Sequence, residues 1–458
     1  MLRSSSAPGV PGAVLRGAAR GPVATARDGV HWLAKHGATR AVLAGAARRG
    51  NLQARLLTLG PEDDAELRRV VAQLRAPGGP YVSPLGRVVT SHGGVRQVLS
   101  DDRFVASRPQ PPGLLGRLAR ATVPPSIHPL ERPSLLATNP PEHTRYRRLV
   151  TGVFTGRAVE RLRVHTEELA HALLDDLESS AHQPVDLVAR YCAPLPVNVI
   201  AQVLGVPDED RPTVLRFGTG AAPSLDMGLT WTQHRQVEGS LLAFEEWLDA
   251  HLAQLRRRPG ADLMSQLVRA RDEQGGLDDR ELKATAGLVL AAGFETTVNL
   301  LGNGTHLLHG HGDQRRELLH GAAGAGAGSW LNAVEETLRY DPPVLLTGRT
   351  AAVEADVEGV RVRAGETVVT VLWAANRDPE VFADADAFDV TRVNAREHIA
   401  FSSGRHHCLG AALARMEGEV GLRVLHERFP DLRALPGARR RSTRILRGFE
   451  SLPVLLRP

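Results

Sequence analysis

The chain has 458 residues, 42 % hydrophobic and 23 % charged, with a formal net charge of +5, an ordinary composition for a globular protein. Aromatics at 4 % and the lack of a concentrated basic run speak against a nucleic-acid surface built on base stacking. The two cysteines, Cys192 and Cys408, are too few and too far apart for a disulfide framework, which points to a reducing, cytoplasmic setting.

The first 27 residues carry Arg3, Arg16, Arg20 and Arg27 and no acid, and are expected to form a disordered extension. From Asp28 onward no linker divides the chain, so residues 28–458 are expected to be one large domain. Apolar residues at three-to-four spacing predict helices over Val159–Glu178, Gln236–Leu255 and Asp278 to about His309. In the last, Asp278 can cap and Glu281 lies three residues on. Its longest apolar stretch, Ala286–Phe294, ends at Glu295, far short of the roughly 18 residues a membrane span needs. "GAAGAGAGSW" (321–330) has glycines at dinucleotide-like spacing, but with no strand before it a loop between helices is expected. A strand pair is predicted at Val357–Val362 and Thr367–Leu372, joined across Ala364-Gly365. Residues 410–426 read as a helix with Cys408 near its N-terminus, where the partial positive charge favours a thiolate.

"FSSGRHHCLG" (401–410) is the stretch that carries chemistry. A structural zinc site needs four ligands, and the consecutive His406, His407 and Cys408 cannot readily face one ion. A nucleophilic cysteine could take His406 or His407 as base, but nothing identifies a third, orienting group. A haem thiolate needs only one cysteine, in a tight loop whose backbone N–H groups point at the sulfur. Gly404 and Gly410 suit such a loop, since close approach to a flat macrocycle excludes side chains.

Phe401, Gly404, His406, Cys408 and Gly410 match the cysteine-loop signature of the cytochrome P450 family of haem-thiolate monooxygenases, which the chain resembles from Asp28 to its end. It most resembles soluble actinobacterial members. The resemblance implies that Cys408 is the axial ligand of haem b and that His406 contacts a propionate. "AGFETT" (292–297) is similar to the oxygen-activation motif, in which a local widening of the helix makes a groove for dioxygen. That likeness makes Glu295 and Thr296 the acid–alcohol pair, with Gly293 giving the haem room. "EETLRY" supplies Glu336 and Arg339, three apart on one helix face, expected as a buried structural pair. "PPEHTRYRRLV" places His143 and Arg147 four apart, and the resemblance assigns both to propionates, with Arg349 as a further cation. One departure stands out. The family's basic residue before Phe388 is here Ala387, so Arg392 or water substitutes, or the Glu336–Arg339 network is two-membered.

The expected fold is mostly α with small β-sheets, a single domain enclosing haem b. The resemblance implies insertion of one dioxygen atom into a small hydrophobic substrate, with electrons from ferredoxin and ferredoxin reductase. No nucleic-acid partner and no membrane span are expected. A peroxide-driven peroxygenase on the same fold and a non-catalytic haem protein are the alternatives. Pocket walls are expected around 105–135, 205–235 and Val344 to Thr347.

Overall fold

The longest helix sets the frame of the structure, a computed structural model that describes residues 22–107, 113–124, 126–260, 262–269, 275–321 and 326–458. This central helix runs Asp279–Gly310, about 48 Å at 1.5 Å per residue. Its start is fixed as the sequence implies: the Asp278 carboxylate accepts from the Glu281 N–H at 2.8 Å, and Glu281 accepts from the Asp278 N–H at 2.9 Å. Among the described residues it is the one helix long and apolar enough to cross a membrane, and its apolar window is mostly buried in the core.

Pro194–Leu204, Trp330–Tyr340 and Ala411–Arg428 pack around it. Missing side chains bring the backbones together. A Cβ on Gly421 would stand 2.6 Å from Leu301, and one on Gly418 would stand 2.9 Å from Leu300. Leu300, Leu301, Val334, Leu338, Leu422 and Leu425 fill the seam and are buried.

The expected helix at Val159–Glu178 is present as Gly156–Glu178, started by Thr155, whose side chain accepts from Ala158 N–H. The one expected at Gln236–Leu255 extends over Trp231–Arg257, because Thr230 and Gln233 form a capping box upstream of the apolar run. Pro22–Trp32 is helical, so the expected disorder of residues 1–27 fails for its last six; residues 1–21 lie outside the described residues. The stretch 321–330 leads into the helix Trp330–Tyr340 with no strand before it, and 322–325 lie outside the described residues.

The main sheet has five strands in the order Tyr81–Ser83, Gly86–Val89, Thr367–Thr370, Thr347–Ala351, Phe104–Val105. Only Gly86–Val89 with Thr367–Thr370 is parallel. The predicted strand pair is corrected. Ala355–Val357 pairs with Val360–Val362 across Glu358-Gly359, both at positive φ (49° and 79°). Thr367–Thr370 pairs instead with Thr347–Ala351, which positions Arg349.

Candidate active site

The Cys408 loop is tied down by its backbone. Cys408 N–H donates to Phe401 C=O at 2.9 Å and His407 N–H to Gly404 C=O at 3.1 Å. Gly404 has φ +65°, and a Cβ there would stand 2.5 Å from the Leu99 carbonyl oxygen. Its bareness therefore serves the helix His92–Ser100 rather than a macrocycle, contrary to expectation. Gly410 caps Ala411–Arg428, and its N–H reaches the Cys408 sulfur. Burial among protein atoms raises the thiol pKa, while that N–H, Arg147 and Arg415 pull it down. Cys408 nonetheless faces open space on one side and is exposed. The His407 ring hydrogen-bonds the Cys408 backbone. Among the described residues no cluster of three His, Cys, Asp or Glu side chains could hold a metal ion.

Four cationic or ionisable groups gather beside this loop. His143 and Arg147 come from the helix Glu142–Thr151, Arg349 from the sheet and His406 from the loop. The His143 and His406 rings are 4.4 Å apart, and the Nε2 of each is buried with no hydrogen-bond partner among the described residues. Burial, then Arg349, His143, Arg405 and Arg147, push His406 down to about 3. Arg349 is 6 % exposed, donates among the described residues only to Thr347 and the Gly348 carbonyl, and burial pushes it down to about 10. A buried guanidinium and two orphaned imidazole nitrogens without a carboxylate call for an anion. Two propionates would meet that need, so the residues fit a haem.

On the central helix, the exposed Ala292 and the half-buried Thr296 lie one turn apart. Thr296 Oγ1 donates to the Ala292 carbonyl at 2.9 Å. The helix is regular α here, without the widening expected. Gly293 makes room for helix Pro194–Leu204 rather than for a haem: a Cβ would stand 3.0 Å from Ile200. Glu295 is 2 % exposed and turned to the C-terminal segment, with Arg441 Nη1 2.9 Å from its Oε1. Burial raises its pKa and Arg441 opposes that. Acid and alcohol thus leave the helix on different sides, as neighbours 100° apart must. Thr297 bonds the Gly293 carbonyl at 3.2 Å and stands beside Glu417, a fully buried carboxyl that sequence reasoning missed and that burial pushes well above the usual range.

Glu336 and Arg339 form the expected buried pair, with Nε–Oε2 and Nη2–Oε1 both at 2.7 Å. Arg392 is the third member: its Nε lies 3.2 Å from Glu336 Oε2. Arg392 also donates to the carbonyls of Ala383, Asp384 and Ala387.

The sequence reading missed Glu335 next door, which binds the cysteine helix. Arg415 Nε donates to Oε1 at 2.7 Å and His398 Nε2 to Oε2 at 3.0 Å, and the Arg415 guanidinium lies 4.6 Å from the Phe401 ring. Burial would raise this carboxyl, but the hydrogen bonds from His398 and Arg415 outweigh it and hold it at about 2. A depressed acid stabilises the fold above its unfolded value near 4.5, and that contribution fades as pH falls toward 2. The shift corresponds to roughly 3 kcal/mol. Glu335→Gln should therefore narrow the gap in unfolding free energy between pH 6 and pH 3, measured by denaturant titration; an unchanged gap would show that the ion pairs add nothing net.

With this geometry fixed, comparison with known proteins is informative. Residues 331–436 match the family model for cytochrome P450. Cytochrome P450 140 of Mycobacterium tuberculosis is 48 % identical over 439 residues, covering 94 % of this chain and 98 % of the relative. The myxobacterial cytochrome P450 CYP267B1, solved in complex with myristic acid, superposes with a TM-score of 0.76 at 30 % identity, over 88 % of this chain and 99 % of that one. P450BioI, solved in complex with acyl carrier protein ligated to hexadec-9Z-enoic acid, superposes with a TM-score of 0.75 at 30 % identity, over 84 % and 97 %. At 48 % identity over 94 % of its length, the chain belongs to the cytochrome P450 family: it is a haem-thiolate monooxygenase, an oxidoreductase.

Proposed function

We propose that this chain holds haem b on Cys408, with His143, Arg147, Arg349 and His406 on its propionates, and oxygenates a small hydrophobic substrate in the cytoplasm. The observation that carries the reading is the exposed Cys408, hydrogen-bonded by Gly410 N–H and set beside the buried Arg349 guanidinium and the His143 and His406 imidazole nitrogens, which have no partner among the described residues. When bound, a thiolate-ligated haem supplies reductive activation of dioxygen. The chain's own part is to hold that thiolate, bind the propionates and keep a proton at Thr296 Oγ1 on one face of the central helix. Glu295 supplies protons from behind that face once it parts from Arg441 or through bridging water. Both cysteines are free thiols, which suits a reducing compartment. Fatty acyl ligands in two related structures support a hydrophobic substrate.

A ferredoxin with its reductase is the electron source in this reading, and basic residues around the cysteine loop suit an acidic donor. Arg405 is ion-paired with Asp102, which reduces the positive charge it offers such a donor. Cys408→Ser is expected to lose the ferrous–CO band at the thiolate position whatever haem it retains. A normal thiolate band in that variant would overturn the assignment. Turnover with ferredoxin, reductase and NAD(P)H, set against turnover with peroxide alone, separates this reading from a peroxygenase.

A further inference from the structure

Eleven large apolar side chains are exposed among the described residues, and five of them sit on two helical segments packed against each other. Val30 and Leu33 belong to the N-terminal helix Pro22–Trp32 and its π-helical continuation Leu33–Gly37; Leu114, Leu115 and Leu118 belong to Gly113–Ala121. The inward faces of both segments are satisfied. His31 and Ala34 on one side, Gly116 and Ala119 on the other, are buried, and His31 Nδ1–H donates to the Ala119 carbonyl at 3.0 Å. The leucines point the other way: Leu114 is 63 % and Leu33 59 % exposed, so neither contributes to the core. An apolar cluster on a well-anchored scaffold needs an occupant.

Charge says which. Residues 1–61 hold nine Arg or Lys and a single acid, Asp28, so the rest of this +5 chain is net −3. From Arg103 to Leu130 there is again no acid, and Arg117 and Arg120 alternate with the exposed leucines. Both arginines are exposed, with no carboxylate partner among the described residues. Aliphatic side chains at the centre, arginines at the rim and a single acid, Asp28, on the two segments match an anionic lipid surface. The leucines would enter the acyl boundary and the arginine stems would reach back to the headgroups. Nucleic acid would want stacking aromatics, and the nearby Trp32 is instead engaged with the Leu229 carbonyl at 2.9 Å.

We propose that this face, centred on Leu33, Leu114 and Leu118 with Arg117 and Arg120, docks the protein peripherally on anionic bilayers. The test is flotation of the full-length holoprotein with vesicles of phosphatidylcholine alone or mixed with phosphatidylglycerol. Recovery with the anionic vesicles is expected to be about ten-fold or more above the neutral ones, and to fall as salt rises to about 0.5 M. Arg117→Glu/Arg120→Glu and, separately, Leu114→Ser/Leu118→Ser should each lower the partition about ten-fold or more, with the haem spectrum unchanged. Protein that stays below the gradient with anionic vesicles overturns the proposal, as does binding that ignores both pairs of substitutions. If either variant instead converts a dimer to a monomer on size exclusion without lipid, the face joins copies of the chain and the lipid assignment is wrong.

Discussion

Thr296→Ala is expected to lower product formed per NAD(P)H several-fold while substrate binding, haem content and reduction by the partner stay near wild type. The structure isolates the hydroxyl well. Among the described residues its one hydrogen bond is to the Ala292 carbonyl at 2.9 Å, and the half-buried side chain contributes little packing. Reduction should be spared, because the proposed donor docks on the cysteine side, away from Thr296. What fails is proton supply: the methyl group left behind has no O–H to present at that point. General-acid assistance is worth roughly 10²–10⁴-fold, and water recovers part of it. Electrons should then appear as hydrogen peroxide rather than product. Thr297→Ala makes an instructive control. That side chain is 1 % exposed and stands beside the buried Glu417, so its loss should cost stability and leave coupling nearly intact. Product and peroxide per NAD(P)H in both variants settle the matter. Equal coupling in Thr296→Ala and wild type would reduce this alcohol to a helix-bonding residue.

Legibility in the sequence followed the range of the interaction. The central helix was readable almost to the residue because its start depends on Asp278 and Glu281, three apart. The Cys408 loop stood out for the same reason: a motif confined to ten residues needs no distant partner to be noticed. Gly404 was noticed for the wrong cause, since the Leu99 carbonyl that forbids a Cβ lies some three hundred residues away in the chain. The hairpin was misplaced because Glu358 takes a positive φ that non-glycine residues seldom adopt, which made Ala364-Gly365 look like the better turn. Glu295 was identified, but not that Arg441 would hold it, and Glu335 went unremarked because only His398 and Arg415, brought in by the fold, give it meaning.

Arg392→Ala is expected to destabilise the protein by about 2–4 kcal/mol and to lower the temperature at which haem is lost, because Arg392 supplies the third arm that Ala387 cannot. Its guanidinium is 7 % exposed, lies 3.2 Å from Glu336 and binds three carbonyls between Ala383 and Ala387. The Ala387 side chain faces outward while its carbonyl accepts from both Arg339 and Arg392, so this loop needs no basic residue at that position. The effect should reach the haem. Arg339 also donates to the Asn376 carbonyl at 3.0 Å, and the Asn376 side chain accepts from Ile399 N–H at 2.7 Å, two residues before Phe401. Glu336→Ala should cost more, about 3–5 kcal/mol, since it strands two buried arginines instead of freeing several carbonyls. The double variant should then fall short of the sum by about 1–3 kcal/mol, because removing Arg392 relieves part of the charge that Glu336→Ala leaves unpaired. Denaturant unfolding of the three variants gives these values directly. An Arg392→Ala protein within experimental error of wild type in stability and haem retention would mean that Glu336 and Arg339 suffice, and that the 3.2 Å approach of Arg392 contributes no net stability.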